Sequence, residues 1–158
     1  MDYKEHAVSA TQKAYDMLYR TARAMTEEKL QWKPLDQGRS VIDQLQECAR
    51  VPRWIAGVLR LRALPPTSEG ERAKALEESK QWKTLDQLES VFRNHLEQLF
   101  SAIREFPEAE LEKKITLPFG RGVERTLAEM MLLPQQNAIY HIGQINYIQT
   151  LYGDLEMH

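Results

Sequence analysis

The sequence contains a single cysteine, Cys48, among its 158 residues. No disulfide can form within the chain, so burial has to hold the fold together, and a lone thiol points to a reducing, cytoplasmic setting. An excess of either charge is also missing. Lys and Arg number 21 against 23 Asp and Glu, giving a formal net charge of −2. That balance leaves no electrostatic footprint for nucleic acid or an anionic membrane. No apolar run is long enough to span a bilayer, and the opening stretch MDYKEHAVSATQ lacks the apolar region of a secretory leader. A Gly-rich phosphate loop, a Cys-x-x-Cys pair and a serine elbow are absent too, which removes P-loop nucleotide hydrolysis, zinc-ribbon and α/β-hydrolase chemistry. What is present, 42% hydrophobic and 28% charged residues, suits one globular domain over residues 1–158 with a real hydrophobic core.

Four N-cap signals each open a helix-period pattern. Asp2 precedes YKEHAVSATQKAYDMLYRTARAM, Ser40 precedes VIDQLQECARVPRWIAGVLRLRA, and Thr84 and Thr126 begin TLDQ and TLAE. The last two read as capping boxes, in which a hydroxyl and a side chain three residues later satisfy each other's orphan amides. The first pattern has Tyr3, Ala7, Ala10, Ala14, Met17 and Thr21 on one stripe. The third aligns Leu88, Phe92, His95, Leu99, Ile103 and Phe106, and the fourth Leu127, Met131, Ala138, Ile145, Ile148 and Tyr152, with His141 on the same side. Such stripes are the core-facing sides of bundle helices.

Pro52 and Pro134 each remove a backbone donor and are expected to kink or locally break the second and fourth helices. Gly153 is the expected stop. The link TEEKLQWKPLDQGR has room for one helical turn. LPPTSEGERAKALEESKQWK and FPEAELEKKITLPFGRGVER, about twenty residues each, exceed ordinary bundle turns and can join helices that are not antiparallel neighbours. In the latter, Ile115 and Leu117 alternate with polar residues ahead of Gly120 and Gly122, as in a small hairpin. The expectation is an all-α four-helix bundle with long connections.

Along the fourth helix Asn137, His141, Gln144 and Ile148 share one face. A histidine pair four residues apart is a common helical metal clip. Here one of the two positions is Asn137, whose amide oxygen is a weaker ligand for zinc or nickel than an imidazole.

The run NAIYHIGQINYIQTLYGD resembles the last helix of the DinB-like (DinB/YfiT) superfamily, in which two histidines four apart precede x-Gly-Gln-Ile. The upstream DQGRSVIDQLQECARVPRW is similar to that family's second-helix entry. The resemblance extends over essentially the whole chain and implies a four-helix bundle of unusual topology, often dimeric. It further implies a divalent metal (Ni, Zn or Mn) on three histidines in many members, and thiol-dependent transfer in some. Carried onto this chain, the metal set becomes Glu47, Asn137 and His141, because Glu47 stands seven residues after Ser40 where the second-helix histidine is expected. The same residues also support a reading without metal. Glu47 facing His141 forms a carboxylate–imidazole pair able to support acid–base work, or only a buried structural hydrogen bond.

Two functional readings follow. In the first, a degenerate metal pocket lined by Glu47, Asn137, His141, Tyr140 and Gln144 serves a hydrolase or thiol transferase acting on a small molecule, with His141 and Glu47 at the chemistry and Tyr140 and Gln144 contacting the bound group. In the second, a non-catalytic homodimeric bundle binds a small ligand or partner, with a stress-related role. Elsewhere, His95 reads as a satisfied core histidine and Cys48 as a small buried hydrophobe. Trp32, Trp54 and Trp82 read as core or interface anchors, His6 and His158 as solvated, and EGERAKALEESK as a solvated helix face.

Overall fold

The computed structural model describes residues 2–35, 37–66, 68–118 and 122–158. Four long helices dominate: α1 (Tyr3–Arg23), α3 (Val41–Leu61), α5 (Leu85–Arg104) and α6 (Leu127–Leu151). Two short ones, α2 (Glu27–Gln31) and α4 (Glu69–Ser79), occupy the connections. Each expected cap is present. Asp2 accepts from the Lys4 amide at 3.0 Å, and Ser40 with Asp43, Thr84 with Gln87 and Thr126 with Glu129 close reciprocal boxes. A further box, Ser68 with Glu71, starts α4. The α6 stop is built on Gly153 at φ +92°, where Gly153 N–H bonds Thr150 O at 3.1 Å and Asp154 N–H bonds Gln149 O at 3.1 Å. That is the paired closure a left-handed residue permits at a helix end.

Around the bundle, α1 packs on α5 and α6, and α3 packs on the same two. The order is therefore α1, α5, α3, α6, with α1 diagonal to α3 and α5 diagonal to α6. The steps α1 to α3 and α5 to α6 join helices on a diagonal, which no tight turn can span, whereas α3 and α5 pack side by side and their long connection carries α4. The link between α5 and α6 carries β1 (Lys114–Thr116), antiparallel to β2 (Glu124–Thr126) with Ile115 opposite Arg125. Ile115 and Leu117 turn into the core, as their alternation suggests. Gly122 sits at φ +77°, whereas Gly120 lies outside the described residues.

Two expectations are corrected. The buried face of α1 centres on Val8, Tyr15, Leu18 and Ala22, so Met17 faces solvent at 43% exposure. The aromatic pair settles this rotation: Tyr15 and Tyr19 both stack on Phe92, with centroids 5.6 and 4.0 Å away, and burial of such rings outweighs that of a methionine. Second, of the kink or local break expected at each proline, the break does not occur, and α3 and α6 run through Pro52 and Pro134. At Pro52 the neighbours explain why. Proline cannot donate to the Cys48 carbonyl one turn back, and the Tyr15 hydroxyl donates to that oxygen instead at 2.7 Å. One residue on, the Ala49 carbonyl accepts from His95 Nδ1 at 2.8 Å. His95 and Cys48 are accordingly buried parts of the core, as expected. Burial raises the Cys48 thiol well above its ordinary pKa, which keeps it protonated and inert.

Candidate functional site

The site lies where α3 meets α6. Ser40 starts α3 so that Gln44 and Glu47, three residues apart, present the same side. α6 supplies Asn137, His141 and Gln144 from its facing stripe. The expected residues do come together: Glu47 Oε1 is 3.1 Å from His141 Nε2 and accepts from Asn137 Nδ2 at 3.1 Å. The second Glu47 oxygen accepts from Arg39 Nη1 at 2.8 Å. His141 is 1% exposed, while the Glu47 side chain retains 34%. The His141 bond, then Arg39 and Asn137, overcome the opposing effect of burial and pull the Glu47 carboxyl down to about 2. Glu47 is thus an anion across the ordinary pH range and is not a proton donor.

On the other ring nitrogen, His141 Nδ1 faces Gln144 Oε1 at 2.8 Å and Gln44 Oε1 at 3.2 Å. Both partners are acceptors, so Nδ1 carries the hydrogen. The lone pair of a neutral ring would then sit on Nε2, directly against the Glu47 anion. With the glutamine oxygens so placed, Nε2 and Glu47 are joined by a second proton or by a metal ion, whereas with both amides turned to donate to Nδ1 a neutral ring donates Nε2–H to Glu47. Tyr140 reaches the ring only by its edge, with centroids 5.2 Å apart, and is 64% exposed.

The donor set bears on the metal question. Nε2 and Oε1 converge at a separation compatible with neighbouring ligands on one ion. Asn137 Oδ1 is buried without a hydrogen-bond partner. Exchanging its amide nitrogen and oxygen, which have nearly the same shape, would put that oxygen beside Glu47. One imidazole, one carboxylate and one amide oxygen suit a borderline or hard divalent cation completed by solvent, so the residues fit such an ion. The fit is weaker than a set of imidazoles would give, because Arg39 already neutralises part of Glu47. Among the described residues no group of three or more His, Cys, Asp or Glu side chains gathers to hold a metal.

An open cleft of about 450 Å³ adjoins this centre, between Pro34 and Arg39 ahead of α3 and Tyr140, Gly143 and Tyr147 on α6. Gln44 and Gln144 line it as well, which connects it to the His141 ring. Sequence reasoning missed Arg39 and Gln44. The available signal for Gln44 was its position one helical turn before Glu47. Arg39, which also donates to the Asp43 carbonyl at 2.9 Å, had only its place beside the Ser40 cap to mark it.

A diagonal helical bundle with a histidine–carboxylate–amide centre beside a cleft defines the class of protein. The family model of the DinB superfamily matches residues 10–145, and the chain belongs to that superfamily. No curated protein sequence matches. Among solved structures the fold is similar to YfiT from Bacillus subtilis, described as a probable metal-dependent hydrolase with an unusual four-helix bundle topology. That match has a TM-score of 0.74 at 17% identity and covers 95% of this chain and 87% of the other. It is similar to the mycothiol-dependent maleylpyruvate isomerase at TM-score 0.66 and 13% identity, covering 92% of this chain but only 61% of the isomerase. A third likeness, at TM-score 0.69 and 14% identity over 93% and 95% of the two chains, is to the colibactin self-resistance protein ClbS, solved in complex with double-stranded DNA. At these identities the likenesses carry the fold alone. Among the described residues no helix is long and apolar enough to cross a membrane.

Proposed function

We propose that residues 1–158 form one domain whose Glu47–Asn137–His141 centre binds a divalent metal, Ni, Zn or Mn, and serves hydrolysis or thiol transfer on a small molecule held in the adjoining cleft. The observation that carries this reading is the facing of His141 Nε2 and the ionised Glu47 oxygen at 3.1 Å while Nδ1 is committed to two amide oxygens. The description of YfiT as a probable metal-dependent hydrolase supports it. Nε2, Oε1 and the Asn137 amide oxygen would hold the ion, which would supply a Lewis acid beside the cleft. The chain's own contribution is positional. Gln144 and Gln44 fix the imidazole, Arg39 fixes the carboxylate, and burial of His141 excludes bulk water from one side of the centre.

The test is calorimetric titration of metal-stripped protein with Mn²⁺, Zn²⁺ and Ni²⁺, followed by hydrolase and thiol-transfer assays on the loaded protein. Saturable binding lost in His141→Ala, with turnover of some small ester, amide or thiol conjugate, supports the reading. Absence of binding for all three ions favours the non-catalytic ligand-binding bundle.

A homodimer is part of the proposal. Residues 130–153 contain no Asp, Glu, Lys or Arg, and Ile139 and Leu151, which do not line the cleft, stand about half exposed on the outside of α6. A charge-free, apolar face has the composition of an interface, and a second copy meets it without charge repulsion. Sedimentation velocity should give a dimer that Ile139→Lys dissociates. A cytoplasmic protein with no nucleic-acid partner completes the reading, on the net charge of −2. Binding of a DNA duplex at physiological salt would contradict that part.

A further inference from the structure

We infer that the cleft beside His141 is a receptor for a planar aromatic carboxylate. The inference deepens the proposed small-molecule pocket and rests on it. The polarity of the cleft follows from the imidazole. Because Gln44 and Gln144 both turn their side-chain oxygens to His141 Nδ1, each amide has its NH₂ left over. Neither NH₂ group has an acceptor among the described residues, and both residues line the cleft. Gln44 is only 3% exposed, so its amide is a buried, pre-oriented donor and not a waving surface group. Arg39 adds a guanidinium with unused N–H groups beyond those given to Glu47 and the Asp43 carbonyl. Among the described residues no carboxylate lines the cleft, and Arg39 is its one charged side chain. A ligand group placed there meets N–H donors from the amides and from a guanidinium whose charge is shared with Glu47, and this donor set favours a carboxylate over a cation, which would find no acceptor there.

The apolar half of the ligand is set by α6. Tyr140 and Tyr147 flank Gly143 on one helical face, at three residues before and four after. A Cβ at Gly143 would meet nothing within 4 Å. The result is a slot between two exposed phenol rings, with Pro34 beyond it. Flat rings stack into such a slot, and the volume of about 450 Å³ lies within the range of small-molecule sites.

The experiment uses the full-length chain, metal-free and metal-loaded, with benzoate, benzyl alcohol and benzylammonium as probes. Binding is followed by the NMR shifts of the tyrosine rings. Benzoate is expected to bind at least about tenfold more tightly than either other probe, a difference of about 1.4 kcal/mol. Gly143→Leu, which fills the slot without touching Glu47 or His141, should abolish benzoate binding while metal uptake and unfolding temperature are retained. Benzylammonium binding as tight as benzoate, or benzoate binding unchanged in Gly143→Leu, overturns the inference. Benzoate binding to a chain that takes up no metal leaves this inference standing and sinks the metal reading. Metal uptake with no preference for benzoate does the reverse.

Discussion

The bundle buries two histidines, and they are placed for different ends. His95 on α5 is 7% exposed and His141 on α6 is 1% exposed. His95 spends its Nδ1 on the Ala49 carbonyl, next to the turn of α3 that Pro52 deprives of a donor. Its ring then lies edge-on to Trp82, centroids 6.3 Å apart. Its partners are a backbone carbonyl and an indole ring, so the group ties α5 to α3 within the core. His141 instead has side-chain acceptors on both nitrogens, an ionised carboxylate among them, and a cleft alongside. Burial alone does not distinguish a structural from a functional histidine. The identity of the second partner does.

Substitution separates the two corners most sharply. His95→Ala leaves the Ala49 carbonyl without its donor and opens a cavity, and is expected to cost about 2–4 kcal/mol in urea unfolding. Metal uptake by that variant should match the parent chain. Equal stability in His95→Ala would mean that the bond to Ala49 and the packing of the ring contribute nothing to the fold. Glu47→Gln is expected to act the other way, removing a direct ligand and weakening metal affinity in calorimetry by more than the about 10–100-fold that losing an outer partner costs, while the fold persists.

The two corners also titrate in different windows. Glu47, held at about 2 against an ordinary 4.5, binds its proton less readily folded than unfolded. Its contribution to stability is full above pH 4.5 and drains as the pH falls towards 2. His95, lowered from 6.5 chiefly by burial, is likewise the worse proton acceptor when folded. Its contribution is full above pH 6.5 and declines as the pH falls below that value. Stability measured against pH should therefore lose its upper step in His95→Gln, while Glu47→Gln should shrink the acid-side fall that Glu47 shares with Asp43, Glu89 and other hydrogen-bonded carboxylates. If Glu47→Gln removes the upper step, the assignment of the two corners is wrong. The smallest effect is expected at Gly143. Gly143→Ala sits in open space on a helix and should stabilise the chain by up to about 1 kcal/mol, readable as a small rise in melting temperature.

Much of this was legible in the sequence because it is local. The caps at Ser40, Thr84 and Thr126, the stop at Gly153 and the stripe through Leu88, Phe92 and Leu99 depend on residues three or four apart, and periodicity reports them. The meeting of Glu47 with Asn137 and His141 was readable only through the family resemblance, since it joins α3 to α6, whereas the shared face of Asn137 and His141 followed from their spacing. The exposure of Met17 was not readable, because α1 offers two overlapping apolar stripes and the choice is made by Phe92 on another helix. The roles of Arg39 and Gln44 escaped for a related reason. Their partners, Glu47 and His141, impose no spacing rule that a single sequence displays. Pro52 is a third case, in which a proline predicts a break until Tyr15, 33 residues earlier as bonded to Cys48, takes over the orphaned carbonyl.

The most direct test of the central claim is elemental analysis of protein purified without a histidine tag, compared with His141→Ala and His95→Ala. The account predicts near-stoichiometric Ni, Zn or Mn in the parent and in His95→Ala, and none in His141→Ala. No metal in the parent after incubation with excess of each ion, or metal retained in His141→Ala, would contradict it.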